Sequence, residues 1–158
     1  MLFRVFSFVM LVMIITSCDK FSFSKKKDLP QIDTIIDFTS VDTYPSFKEC
    51  DSLIDKEKKS ICFRNTIHQK IGEELSKHSF KIKDSIDETI LVDLIINSDG
   101  KITFEALQSS EKIKKELPEL DSIIHLSVDN LPTIFPAIKK RYKVTTKYQL
   151  PIRIKLQE

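Results

Sequence analysis

The sequence predicts an α+β fold, a two-layer sandwich in which two helices cover one face of a three-stranded antiparallel sheet. Two observations predict the strands: a long final segment alternates apolar and polar residues, and two shorter alternating segments flank a turn signal. A third predicts the helices, because two other segments carry apolar residues at intervals of three and four. Stacking the helical stripes on the apolar side of the sheet buries all of these residues together.

The composition limits the size and the class of the protein. A chain of 158 residues has room for one ordinary domain and a tail. Lys and Arg total 25 against 23 Asp and Glu, so the charge gives no sign of nucleic-acid binding. Gly72 and Gly100 are the only glycines, which excludes glycine-rich phosphate-binding loops. The histidines show no metal-ligand spacing, and no cofactor or metal is expected.

The first residues have the pattern of an export signal. Arg4 is followed by the apolar run 5–15, which is shorter than the roughly 20 residues of a membrane span. The sequence Ile-Thr-Ser-Cys then ends at Cys18 and resembles a bacterial lipobox. We therefore expect residues 1–17 to be a lipoprotein signal peptide and Cys18 to be lipidated. A buried N-terminal helix or an uncleaved anchor is the alternative.

The next segment is polar and irregular, with a lysine triplet and Pro30. It predicts a flexible tether over residues 18–40, part of which docks on the domain through the apolar residues of 32–38. The domain itself is expected to occupy residues 41–158.

The cysteines point to one disulfide. Three cysteines are an odd number, and giving Cys18 to a lipid leaves Cys50 and Cys62 as a pair. Closing the loop between them contributes about 3 kcal/mol by the chain-entropy estimate. Two free thiols and a metal site are the alternatives. An oxidising envelope favours the disulfide, and the absence of further ligands nearby disfavours a metal.

The first helix is expected to begin near Ser60, a suitable N-cap, and to end around residues 77–78. Its predicted buried stripe consists of Phe63, Ile67, Ile71 and Leu75. A strand follows over residues 88–97, with apolar side chains on both faces, as in a central strand. Gly100 is expected to supply a positive φ in the turn after it. The core-facing residues of the return strand are predicted to be Ile102, Phe104 and Ala106.

The second helix is predicted to open at Pro118 and to stop at Pro132. Its stripe consists of Leu120, Ile123, Ile124, Ser127, Val128 and Leu131. The last strand covers residues 143–156, with an apolar face and a cationic face. Pro151 donates no ladder hydrogen bond, which predicts that this strand is an edge. An exposed edge either is protected from aggregation by its charges or receives another chain.

Several of these features together resemble the C-terminal domain of TonB-type energy transducers. The resemblance covers about residues 44–156, and order and spacing carry it. Within the domain its motifs are the Asp99-Gly100 turn, Ser109 and Ser110, Leu120-Asp121, Leu131-Pro132 and the closing segment Leu150-Pro151-Ile152-Arg153-Ile154-Lys155-Leu156. Upstream, the two segments that contain Cys50 and Cys62 resemble the cysteine-bearing extension of TonB-like proteins of the Bacteroidetes.

The resemblance implies a non-enzymatic module that binds protein in TonB-dependent outer-membrane transport. A short segment of an outer-membrane transporter would add to the sheet at the last strand. The residues expected to contact it are Lys147, Tyr148, Gln149, Leu150, Pro151, Ile152 and Arg153. The expected location is the periplasm or the cell surface, with a lipid anchor in the outer membrane.

The chain also departs from that family. A TonB transducer has an uncleaved membrane helix and a proline-rich spacer, whereas the tether here contains only Pro30. Residues 139–142 replace the Gly-Lys-Pro-Val-like sequence that precedes the family's last strand. The alternative is a structural envelope lipoprotein that forms a homodimer through its edge strand.

An enzyme is not expected. Possible acid or base residues have no partner at a convincing spacing, and no nucleophile–base set is evident. These residues are Asp93, Glu105, Asp121 and His125. Asp93 is unusual because it interrupts an apolar strand, and it is expected at a sheet margin or beside a lysine.

Overall fold

The structure, a computed structural model, describes residues 31–157, with side chains from residue 34 onward. The predicted signal peptide 1–17, the lipidated Cys18 and the first part of the tether lie outside the described residues. In the described part of the chain, no helix combines the length and the apolar character needed to cross a bilayer.

Five strands and three α-helices make up the described chain. In order they are β1 (Gln31–Asp37), α1 (Lys56–Leu75), β2 (Ile86–Ile96), β3 (Ile102–Gln108), α2 (Glu111–Glu116), α3 (Leu120–Asp129), β4 (Ala137–Lys139) and β5 (Tyr142–Leu156).

The sheet is mixed, with the strand order β1-β5-β2-β3 and with β4 beside the start of β5. β5 pairs antiparallel with β2 from Thr146 to Leu156. β1 runs parallel to β5 and pairs with Lys143–Lys147. The predicted α+β class is confirmed. The predicted count of three strands and two helices is wrong, because β1, β4 and α2 add to the elements that the sequence pattern revealed.

Residues 31–37 were assigned to the tether, but they form β1 within the sheet. The expectation that part of the tether docks on the domain agrees with this pairing. After β1, Phe38 packs its ring against Tyr148 of β5 at a centroid distance of 4.8 Å. The segment therefore contributes both a strand and an aromatic contact to the fold.

α1 begins earlier than predicted. Asp55 is its N-cap, and the carboxylate accepts a hydrogen bond from the backbone N–H of Lys58 at 2.8 Å. Because this cap satisfies a backbone N–H at the helix start, Ser60 lies inside the helix. The predicted stripe is correct: Phe63, Ile67 and Ile71 are fully buried, and Leu75 is half-buried.

Cys50 and Cys62 form the predicted disulfide. Cys50 is fully buried in a short 3-10 turn, Lys48–Cys50, whereas Cys62 lies in the second turn of α1. The bond therefore fastens the segment before α1 to the helix.

The second helical region is divided in two. Ser110 caps the short α2, and its hydroxyl accepts a hydrogen bond from the backbone N–H of Ile113 at 3.2 Å. α3 then begins at Leu120, two residues after Pro118, and the predicted stripe is buried apart from the half-buried Leu131.

The turn between β2 and β3 has the predicted positive φ at Gly100, +87°. A bulge follows, because Asp93 pairs with Ala106 while the next residue, Leu94, pairs with Phe104. The extra residue, Glu105, shifts the alternation of β3 by one position. Leu107 packs on the core instead of Ala106, so the prediction for Ala106 is wrong.

Candidate binding edge

Among the residues that the structure describes, the second half of β5 has a strand on one side only. β2 pairs with it along its whole length from Thr146, whereas β1 ends opposite Lys147. Within residues 31–157, no strand pairs with residues 148–156 on the side where β1 ends. The predicted edge is thus confirmed for this half of the strand, which we call the open edge. The first half is an interior strand.

The hairpin before β5 fixes which main-chain groups point to the open edge. Lys140 and Arg141 both have positive φ, 48° and 66°, as in a two-residue type I′ turn. Lys139 and Tyr142, which flank the turn, then form a hydrogen-bonded pair, and such pairs recur at every second residue. The even-numbered residues of β5 therefore point N–H and C=O towards β4 and β2.

The odd-numbered residues consequently point their main-chain groups away from β2. Gln149, Arg153 and Lys155 offer both N–H and C=O to the open edge, and Pro151 offers C=O. Pro151 faces Leu91 of β2 without interrupting the pairing, since its nitrogen lies on the other side of the strand.

The even-numbered side chains of β5 are on the core face. Tyr148 is 8% exposed and packs edge-on against Phe63, with a centroid distance of 5.2 Å. Burial raises the pKa of the Tyr148 hydroxyl, while Arg64 acts in the opposite direction. Leu150 is fully buried, and Ile152 is half-buried. The Tyr148 side chain therefore packs in the core of the domain.

The opposite face of the sheet carries a polar network around Asp93. Its carboxylate accepts hydrogen bonds from Gln149 at 2.9 Å and Gln108 at 2.7 Å. Lys147 lies 4.0 Å from Asp93 and 2.6 Å from Glu105. Asp93 is only 5% exposed, and it is paired with a lysine as expected, although it lies on a central strand and not at a margin.

The pKa of Asp93 reflects this network. Burial raises it, but the hydrogen bonds from Gln149 and Gln108 and the charge of Lys147 together hold it below the ordinary value. Nearer the end of β5, Arg153 donates two hydrogen bonds to Asp87 of β2, at 2.7 and 2.8 Å. The hydrogen bonds from Arg153 lower the pKa of the Asp87 carboxyl.

An apolar groove of about 320 Å³ lies beside the last five residues of β5. The end of α1 and the α2–α3 junction form its other walls. The apolar side chains that line it include Leu75, Phe80, Leu117, Ile152, Ile154 and Leu156. Gly72 also borders the groove, and a Cβ at this position would meet no heavy atom within 4 Å. We call this feature the edge groove.

The structure therefore divides the seven predicted contact residues among four environments. Tyr148, Leu150 and Ile152 face the core, Lys147 and Arg153 are held in ion pairs on the outer face, Gln149 binds Asp93, and Pro151 is exposed. What they share is the strand's main chain. The edge groove could not be predicted from the sequence, since its walls are distant in sequence. The one signal for it was Gly72, which interrupts a helical pattern without a turn.

The remaining acid or base candidates do not form a site. Asp121 is exposed, and His125 stacks on Phe104 at 5.1 Å and lies 3.6 Å from Asp129. Within the described residues, no group of three or more His, Cys, Asp or Glu side chains has the geometry to hold a metal ion.

No family model, curated protein or solved structure matches the chain. A function for this protein can therefore be inferred only from its own residues and their geometry.

Proposed function

We propose that this protein is a lipid-anchored module of the bacterial envelope that binds an extended peptide segment at the open edge of β5. The partner is a segment of an outer-membrane transporter, as the resemblance to the TonB C-terminal domain implies. The observation that carries the proposal is the row of main-chain N–H and C=O groups at Gln149, Arg153 and Lys155. An added strand would satisfy these groups by β-augmentation.

β3, the strand at the opposite end of the sheet, differs in a way that supports this choice. β3 has seven residues and a bulge at Glu105, and both features hinder the addition of a further strand. The open edge shows no register shift in its pairing with β2, and Pro151 is its one interruption. An added strand thus finds a longer regular ladder at β5 than at β3.

The predicted order of helix, strand, strand, helix and strand also supports the proposal. It recurs among the elements of the structure as α1, β2, β3, α3 and β5. The lipobox-like sequence that ends at Cys18 supports the lipid anchor. The departures from TonB transducers argue against a role in transmitting force: the tether has a single proline, and the turn at Lys140–Arg141 replaces the family's sequence before the last strand.

Two variants at Arg153 separate main-chain from side-chain binding. Arg153→Ala and Arg153→Pro both lose the guanidinium, but only proline also removes an N–H that points to the open edge. We expect the immobilised wild-type chain and Arg153→Ala to capture the transporter from outer-membrane extracts, and Arg153→Pro to lose it. Equal capture by both variants, each with an unchanged circular-dichroism spectrum, would disprove strand addition.

Ile152→Pro is a less suitable variant. The main-chain N–H of Ile152 points to β2, so a proline there removes a bond inside the sheet and destabilises the fold.

The alternative is homodimer formation through the same edge. It makes a distinct prediction, because self-pairing protects the amides of Gln149, Arg153 and Lys155 from hydrogen exchange more strongly as the protein concentration rises. Light scattering during size-exclusion chromatography would report the dimer directly.

A further inference from the structure

We infer that the segment bound at the open edge is a stretch of another polypeptide in which large apolar side chains alternate with acidic ones. This inference rests on the proposed strand addition and specifies the chemistry of the partner. Three features of the molecule carry it: the edge groove, Gly72 and the charge of β5.

The edge groove lies where one face of an added strand would be. Arg153 and Lys155 border the groove although their side chains belong to the outer face, so their main chain forms its margin. The groove thus reaches the main chain of residues that also form the open edge. Because side chains alternate between the faces of a strand, every second side chain of an added segment would lie over the apolar wall of Ile152, Ile154 and Leu156.

Gly72 keeps the groove open on the side of α1. Glycine is unfavourable inside a helix, yet this one lies in the last turn of α1 with open space in front of it. Any larger side chain at this position would project into the groove. The apolar walls and the space beside Gly72 favour large apolar side chains on this face of the partner.

The outer face of the open edge favours acidic side chains. β5 contains no Asp or Glu, and Arg153 and Lys155 lie on its outer face in the open half. The acidic partner of Arg153 is Asp87 on β2, on the side of β5 away from the edge. An added strand would therefore lie next to cations, and opposite charges across neighbouring strands stabilise the pair.

The same charges disfavour a second copy of this chain at the edge. Two β5 strands side by side bring two cationic outer faces together without an intervening acid. Like charges on neighbouring strands are destabilising. A heterologous acidic segment is the better occupant.

Capped peptides of about seven residues, the length of an ordinary strand, provide the test. One alternates aspartate with valine, a second lysine with valine, and a third aspartate with serine. Each is titrated onto the purified full chain while hydrogen exchange is followed at Gln149, Arg153 and Lys155. We expect the aspartate–valine peptide to protect these amides and to bind about tenfold more tightly than either control.

Variants at Gly72 test the groove without disturbing the fold. Gly72→Leu fills the space, whereas Gly72→Ala adds only a methyl group. We expect Gly72→Leu to weaken binding of the aspartate–valine peptide about tenfold and Gly72→Ala to weaken it by much less, since a methyl group fills less of the groove.

The possible failures are distinguishable. If all three peptides protect the edge amides with equal affinity, strand addition stands and the inferred chemistry is wrong. If Gly72→Leu binds as wild type does, the groove does not contact the partner. If no peptide protects an edge amide, the proposed function itself is wrong, together with this inference.

Discussion

At the scale of single residues, a few positions have a positive φ, which is a backbone conformation that residues other than glycine rarely adopt. Gly100 has a φ of +87°, and its carbonyl accepts a hydrogen bond from the backbone N–H of Ile134 at 2.9 Å. Lys140 and Arg141 also have positive φ, but they are not glycines. Replacing Gly100 should therefore destabilise the protein, whereas introducing a glycine at Lys140 or Arg141 should stabilise it.

Gly100→Ala should destabilise the protein by about 3 kcal/mol or more, at the upper end of ordinary substitutions. The added Cβ would lie 1.8 Å from the carbonyl oxygen of Ile134, so backbone must move. Gly72→Ala is the matched control at the other glycine and should stabilise the protein by about 0.5–1 kcal/mol. Urea denaturation measures both, and a loss of stability at Gly72 would contradict the open space described there.

Arg141→Gly should raise the free energy of unfolding by about 1 kcal/mol. A non-glycine residue in the left-handed region stores at least this much strain, and glycine is the residue that type I′ turns favour. The comparison is with Lys139→Gly, at a position without positive φ, which should lower stability. Thermal denaturation of the two variants measures the difference. Equal shifts in Tm would contradict the strain proposed at Arg141.

At the scale of elements, two cross-links between side chains add to the main-chain pairing of the sheet. The disulfide joins the 3-10 turn Lys48–Cys50 to α1. The Asp93 network joins three neighbouring strands, because its members lie on β2, β3 and β5. One link is covalent and on the helical layer, and the other is polar and on the outer face.

Replacing Cys50 and Cys62 together by alanine should lower the free energy of unfolding by about 3 kcal/mol, since the unfolded chain regains the entropy of the open loop. Adding a reductant to the wild-type protein should give a similar loss, whereas the double variant should not respond to it. If the reductant destabilises the double variant by the same amount, the disulfide is not the cause.

Asp93→Asn should cost about 1–3 kcal/mol at neutral pH, because the two amide donors and Lys147 lose a charged acceptor. The folded-state pKa of Asp93 lies below that of the unfolded chain, so its carboxylate stabilises the fold above about pH 4. This contribution disappears as the pH falls through the folded-state pKa. The difference between wild type and variant, measured by denaturation from pH 7 to pH 2, should therefore shrink below about pH 4. A constant difference would contradict the network.

At the scale of the whole molecule, the sequence predicted what periodicity controls and missed what depends on distant partners. The stripe of α1, the alternation of β5 and the turn at Gly100 are local patterns, and the structure agrees with each. Ala106 was placed on the wrong face because a bulge leaves no mark in the alternation of β3.

The site shows the same limit. Pro151 correctly indicated a side of β5 that, in its second half, pairs with no strand of residues 31–157, because a missing N–H is a local property. The burial of Tyr148 could not be predicted, since it arises from Phe38 and Phe63, which lie far away in sequence. Nor could the extent of β1 be predicted from the sequence, because β5, the strand with which it pairs, is separated from it by most of the chain.

The pairing of β1 and β2 with β5 has a consequence for how the protein is made. Gln31 pairs with Lys143 and Ile86 with Leu156, so two early strands cannot complete their pairing until the ribosome has synthesised β5. Until then β2 has only its hairpin partner β3, and its other side is exposed with the apolar residues of its core face. Contacts this distant in sequence make folding slow, and the nascent chain is open to misassociation during that interval. A chaperone that covers β2 until β5 has been synthesised would protect the same ladder that β5 later occupies.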